Sequence, residues 1–150
     1  MYTTIESKYL SGEADENLLA GQRGVVIDDV LFSSYLIDTV EMLGGSIALF
    51  ETFSEDATEY LHNEGVTFAI IHNYLINELE TIRQIAQSGI KVLLIKRYLI
   101  PPEQVEEHEK ICRELENEGV IIGSSMFRIN DIRRFLLSLN QLPQTIADES

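Results

Sequence analysis

The chain has one cysteine, Cys112, and no tryptophan. A single thiol closes no internal disulfide, so nothing in the sequence points to an oxidising compartment. Basic side chains are scarce. Eleven lysines and arginines stand against 25 aspartates and glutamates, a net charge of −14 with the three histidines neutral. So acidic a surface repels phosphate backbones and anionic lipid headgroups, which argues against nucleic acid and membrane as partners. Long apolar runs are missing too. No stretch approaches the about 18 residues of a membrane span. Met1 to Leu10 has neither the basic nor the apolar segment of a secretion signal, so a soluble, cytoplasmic protein is expected. The sequence contains no Gly-x-x-x-x-Gly-Lys-Ser/Thr phosphate loop, no Gly-x-Gly-x-x-Gly fingerprint and no Gly-x-Ser-x-Gly turn. Nucleotide cofactors and a serine nucleophile at Gly123-Ser124-Ser125 therefore lack support, and no cofactor is expected.

What is present is a regular alternation. With 45% hydrophobic and 24% charged residues, the composition is that of a globular domain rather than a disordered chain. Residues 1–23 are polar and weakly patterned, with Asp15 to Leu19 offering a short helix, and read as an N-terminal extension. From Gly24 the pattern is clear. Val25-Val26-Ile27 is a β-branched run ending in Asp28-Asp29, and Phe32, Leu36, Val40 and Leu43 follow at helical spacing. Ser46 to Phe50 reads as a second strand, and Ser54 as the N-cap of a helix bearing Ala57, Tyr60 and Leu61. Phe68 to Ile71 closes on His72-Asn73, before a helix striped by Leu75, Leu79, Ile82 and Ile85. Val92 to Ile95 closes on Lys96-Arg97. Pro101-Pro102 then open a helix with Val105, His108, Cys112 and Leu115 on its buried stripe. Val120-Ile121-Ile122 is a fifth strand, and Asn130 or Asp131 is placed to cap a last helix burying Ile132, Phe135, Leu136 and Leu139. Five apolar strands joined by amphipathic helices predict a parallel α/β sheet covered on both faces, over residues 24–140, with 141–150 a polar tail.

The strand Gly24 to Ile27 with its acidic pair Asp28-Asp29, the helix from Ser54 to Gly65, and the run Met126 to Ile132 together resemble the receiver domains of bacterial response regulators. The resemblance spans residues 24–140. It implies a flavodoxin-like (CheY-like) doubly wound five-stranded parallel sheet in the order 2-1-3-4-5. In receivers the acidic pair helps bind Mg²⁺, and an aspartate ending the third strand accepts phosphate. A Ser or Thr ends the fourth strand, and a lysine ends the fifth. The matching positions here hold His72 (with Asn73 next), Lys96 and Ser124, so three of the four functional positions differ. Phosphoryl transfer to a carboxylate needs an acceptor oxygen, a metal and a cation on the incoming oxygens. Asp28, Asp29, His72, Asn73, Lys96 and Ser124 accordingly read as a vestigial phosphorylation pocket, and the chain as a pseudo-receiver that is not an enzyme.

Each sharper reading has a plainer rival. Asp28 and Asp29 are weak candidates for holding a cation; the plainer account leaves them solvated or paired with Lys96. With His72 they would suit a transition metal better than Mg²⁺, whereas a hydrogen-bonding histidine is the simpler role. Cys112 on a buried stripe is an inert small hydrophobe by default. The fourth unit joins Arg97, Tyr98, Leu99 and Ile100 to an acidic helix carrying Glu106 and Glu109 beside Arg113, while the last helix carries Arg128, Arg133 and Arg134. Such a pairing is either internal or a self-complementary patch. Since receivers often dimerise through the fourth helix, fifth strand and fifth helix, the resemblance implies a homodimer there, or contact with a protein partner the sequence does not name. The alternative is a metal- or small-effector-binding protein, or a small enzyme, reusing the pocket around Asp28, Asp29 and His72.

Overall fold

Each β-branched run becomes one strand of a single parallel sheet: β1 Arg23–Ile27, β2 Ser46–Phe50, β3 Phe68–Ile71, β4 Lys91–Lys96 and β5 Ile121–Ser124. The computed structural model describes residues 18–28, 32–96, 100–124 and 128–139. Asp29, Arg97, Tyr98 and Leu99 lie outside the described residues, as do the chain up to residue 17 and the tail from residue 140. For Ser124 and Arg128 only the secondary structure is described. The strand order is β2-β1-β3-β4-β5, as the resemblance implies, and every neighbouring pair is parallel.

Side chains alternate across the pleat and sort into two cores. Val26, Phe68, Ile70, Leu93 and Ile95 face helices α1 (Phe32–Met42) and α5 (Arg128–Ser138), which contribute Leu36, Val40, Ile132, Phe135 and Leu136. Val25, Ile27, Ala69, Ile71, Val92 and Leu94 face α2 (Glu55–Asn63), α3 (Leu79–Gln87) and α4 (Val105–Asn117), which contribute Leu61, Leu79, Ile82, Ile85, Cys112 and Leu115. Burial on both faces explains why the runs Val25–Ile27, Phe68–Ile71 and Val92–Ile95 of the central strands are apolar throughout instead of alternating with polar residues. Gly89 and Gly119 follow α3 and α4 at φ +103°, a conformation that costs glycine nothing and ends each helix cleanly. Just before β1, Leu18 and Leu19 lie in a turn. Leu19 is fully buried in the α1/α5 core, with its N–H bonded to the Leu43 carbonyl at 2.8 Å.

Ser54 caps α2 as its sequence context predicts: its Oγ accepts the Ala57 N–H at 3.1 Å, and Glu55 and Asp56 occupy the first turn. Ser54→Ala is expected to lower stability by about 1 kcal/mol. Ser54→Asp, which keeps an acceptor, should stay near wild type. The midpoint of urea unfolding at unchanged m-value reads both.

Three helix starts depart from the sequence pattern. Leu75 is 59% exposed, because a 3-10 turn at Ile76–Glu78 precedes α3 and leaves Leu75 in extended backbone, with its N–H held by Glu78 Oε1 at 2.8 Å. Tyr74, 2% exposed, enters the core instead. Val105 follows another 3-10 turn, Pro102–Gln104, and is likewise exposed. The last helix spans Arg128–Ser138, so Asn130 and Asp131 lie within it rather than before its first turn.

Candidate functional site

In a doubly wound sheet, ligands bind beyond the carboxyl ends of the strands, at the point where the strand order reverses. Here that point lies between β1 and β3, and the register Ile27↔Ile71 brings the residues that follow them, Asp28 and His72, side by side. The backbone fastens this corner. The N–H groups of His72 and Asn73 both bond the Ile27 carbonyl, at 2.9 and 3.1 Å, and the Asp28 N–H bonds the Phe50 carbonyl at 3.0 Å. Asn73 reaches the other way, donating from Nδ2 to the Glu51 carbonyl at 2.5 Å. Three strand ends are thereby tied together.

Asp28 is buried, and its Oδ1 lies 3.3 Å from His72 Nδ1, with the imidazole ring half-buried. The separation is long for a charge-assisted hydrogen bond, so the contact orients the two groups more than it binds them. The carboxylate can only accept, which places the imidazole hydrogen on Nδ1. The end of β3 thus presents an imidazole ring to Asp28.

Lys96 does not pair with Asp28, the partner offered for it by sequence. Its Nζ lies 2.8 Å from both carboxylate oxygens of Glu109 on α4. The reason is reach: Lys96 is two positions beyond Leu94, the residue in register with Ile71, and its side chain extends toward α4 rather than toward β1. With a third or more of each partner exposed, this ion pair adds at most about 1 kcal/mol. Its consequence is positional, since it commits the ammonium at the end of β4 to a carboxylate of the protein itself.

Glu109 also leads to a buried cluster that the sequence reading did not assemble. Tyr74 Oη lies 2.7 Å from His108 Nε2, the two rings stack nearly parallel with centroids 5.8 Å apart, and Cys112 Sγ is 3.7 Å from the same nitrogen. His108 Nδ1 faces Glu109 Oε2 at 3.7 Å, so the neutral ring carries its hydrogen there and accepts from the tyrosine. Burial is the main influence holding the His108 pKa down, and Lys96 adds to it, while Glu109 acts in the opposite sense. Burial pushes the Cys112 thiol up to about 11, so it stays protonated and unreactive. The helical spacing of His108 and Cys112 was the one available signal. Tyr74, 34 residues from His108, gave none.

A second unforeseen residue is Arg83 on α3, which ties that helix to α4 through Glu114 at 2.8 Å and Glu118 at 3.1 Å. The acidic helix therefore spends two carboxylates on α3 and one on β4. Of the other candidate interface residues, Glu106, Arg113 and Arg134 are exposed, while Ile100 and Arg133 are half-buried. Helices α4 and α5 cover opposite faces of the sheet.

Among the described residues no group of three or more His, Cys, Asp or Glu side chains is placed to hold a metal ion, and no helix is long and apolar enough to cross a membrane. No protein-family model and no curated protein matches the chain. A solved structure does: the chain is similar to a response regulator from Thermotoga maritima, at a TM-score of 0.53 and 14% identity, over 78% of this chain and 98% of that one. The CheY-like receiver fold is therefore established by strand order and by structural likeness together.

Proposed function

We propose that this chain is a signalling module of pseudo-receiver type, which works without phosphoryl transfer and acts through protein–protein contact. The observation that carries the reading is the end of β3, where His72 faces Asp28 across 3.3 Å in place of an acceptor carboxylate. The commitment of Lys96 to Glu109 supports it, because a cation held by its own carboxylate is poorly placed to meet phosphoryl oxygens. In this reading the strand-end corner is a fixed structural junction and the helices carry the signal. The contact surface is the side formed by α4, β5 and α5, where exposed Glu106 on one helix and Arg134 on the other give a homodimer opposite charges to match. Arg97, Tyr98, Leu99 and Ile100 adjoin that surface in sequence.

Incubation with acetyl phosphate and Mg²⁺, followed by intact-mass spectrometry before and after mild acid treatment, is the test. The mass should remain that of the unmodified chain, and a stoichiometric acid-labile acyl phosphate would overturn the proposal.

A further inference from the structure

β2 forms one edge of the sheet and β5 the other. Edge strands commonly carry a lysine, a proline or a bulge that stops a further strand from joining. β2 has none of these: Ser46-Ile47-Ala48-Leu49-Phe50 is uncharged, and its register with β1 runs unbroken from Ser46 to Phe50. The ladder also fixes which backbone groups the edge offers. Ser46 donates its N–H to the Gln22 carbonyl at 3.1 Å, and the Phe50 carbonyl accepts from the Asp28 N–H at 3.0 Å. Alternate residues of a strand turn their polar backbone groups to the same side, so Ser46, Ala48 and Phe50 bond β1 while Ile47 and Leu49 turn theirs outward. Among the described residues nothing pairs with that outer side. Ile47 packs against the α1/α5 core, and Leu49, on the same face of the strand, is 44% exposed.

A second copy satisfies such an edge by itself. In an antiparallel pairing centred on Ala48, Ile47 stands opposite the partner's Leu49, and Leu49 opposite the partner's Ile47. Each is a pair that exchanges both N–H···O bonds, so the two pairs together engage every outward group of these residues in both copies. The same pairing sets the exposed leucine beside the partner's isoleucine, a cross-strand apolar contact. Charge is the opposing influence, since each copy carries −14. The junction itself is free of it. Glu51, the acid that follows β2, falls opposite the partner's Gly45. At ~3.4 Å per residue the two Glu51 side chains then stand about 20 Å apart, beyond the about 8 Å over which exposed charges interact at physiological salt.

We propose that two copies of this chain join β2 to β2 in antiparallel, about a two-fold axis at Ala48, and so make one continuous sheet. The contact surface named above, on α4, β5 and α5, includes the opposite edge of the sheet. This inference therefore goes beyond that reading and stands or falls without it.

The test combines sedimentation of the full chain with amide hydrogen exchange read by NMR, both from micromolar to millimolar concentration at physiological salt. Dimers should form across this range, and exchange at the Ile47 and Leu49 amides should slow at least about tenfold as they do. The Ala48 and Phe50 amides, already bonded to β1, should change little. Leu49→Pro deletes an outward N–H and no bond to β1, so it should raise the dimer Kd at least about tenfold. Ile121→Ser, at an exposed position of β5, should leave the dimer intact. Circular dichroism checks that both variants are folded; if Leu49→Pro is not, the amide pattern of the wild type decides. A monomer at every concentration would overturn the proposal. So would a dimer that Ile121→Ser weakens and Leu49→Pro does not, since the contact would then lie at the other edge. Ile47 and Leu49 amides protected equally at all concentrations would overturn it too, because the edge would then be covered from within one chain.

Discussion

Gly24→Val is expected to leave the chain largely unfolded, and Gly24→Ala to weaken it by about 1–3 kcal/mol, the usual cost of overpacking a core. Gly24 sits in β1 directly opposite Phe68 of β3, and the Phe68 ring lies across the space a Cβ at residue 24 would enter. The ring has no room to retreat. Phe68 is fully buried and packs edge-on against Phe135 of α5, with ring centroids 6.1 Å apart. Even one methyl group must therefore displace α5 or distort the central strand pair, and domains of this size have only about 5–15 kcal/mol of stability to lose. Phe68→Leu should cost stability alone by leaving a cavity, yet partly rescue Gly24→Ala, so that the double variant is more stable than the sum of the single effects implies. Urea unfolding of the four proteins measures this coupling, and strict additivity would mean that the ring is not what excludes the Cβ.

Gly24 also illustrates what the sequence made legible. As the first residue of a β-branched run it marked a strand, but the need for glycine came from Phe68, 44 residues on, and emerges only once the sheet is paired. The same division runs through the molecule. β3 occupies the residues expected of it because a strand buried on both faces leaves an uninterrupted apolar run, and β2, an edge strand with no fully buried residue, also falls where its apolar run predicts. The Ser54 cap was readable because its partner is three residues away. The starts of α3 and α4 were misjudged at Leu75 and Val105, where a 3-10 turn breaks the helical spacing before the helix proper begins. At the site, the resemblance brought Asp28 and His72 to one corner, but the direction of the Lys96 side chain is a property of three-dimensional reach, and periodicity says nothing about it. Arg83 looked like any polar residue on an amphipathic helix until α4 stood beside it.

His108 should make the protein lose stability as the pH falls below about 6.5. The ring is 1% exposed, and its neutral form is what the fold accommodates: Tyr74 donates to Nε2, Cys112 touches the same nitrogen, and Glu109, with Lys96 behind it, faces Nδ1. Burial lowers the His108 pKa in the folded chain, whereas the unfolded chain takes up that proton near 6.5. Between those two values the unfolded state binds more protons, so stability rises with pH there and is lost on acidification, by up to about 1.4 kcal/mol per pH unit. Below the folded value both states are protonated and this loss stops growing. Glu109, whose own pKa is lowered chiefly by its hydrogen bond to Lys96, contributes stability that is lost only below about 4.5, so the two effects occupy separate windows. His108→Gln should be less stable than wild type at pH 8, since it forfeits the stacking on Tyr74, yet lose less between pH 6.5 and 5, so that the two stability curves converge on acidification. Urea unfolding at half-unit pH steps reads both slopes. Parallel curves would show that the acid sensitivity in this window arises elsewhere, whereas convergence would show that the Tyr74–His108 contact, which links the loop after β3 to α4, holds only while the imidazole is neutral.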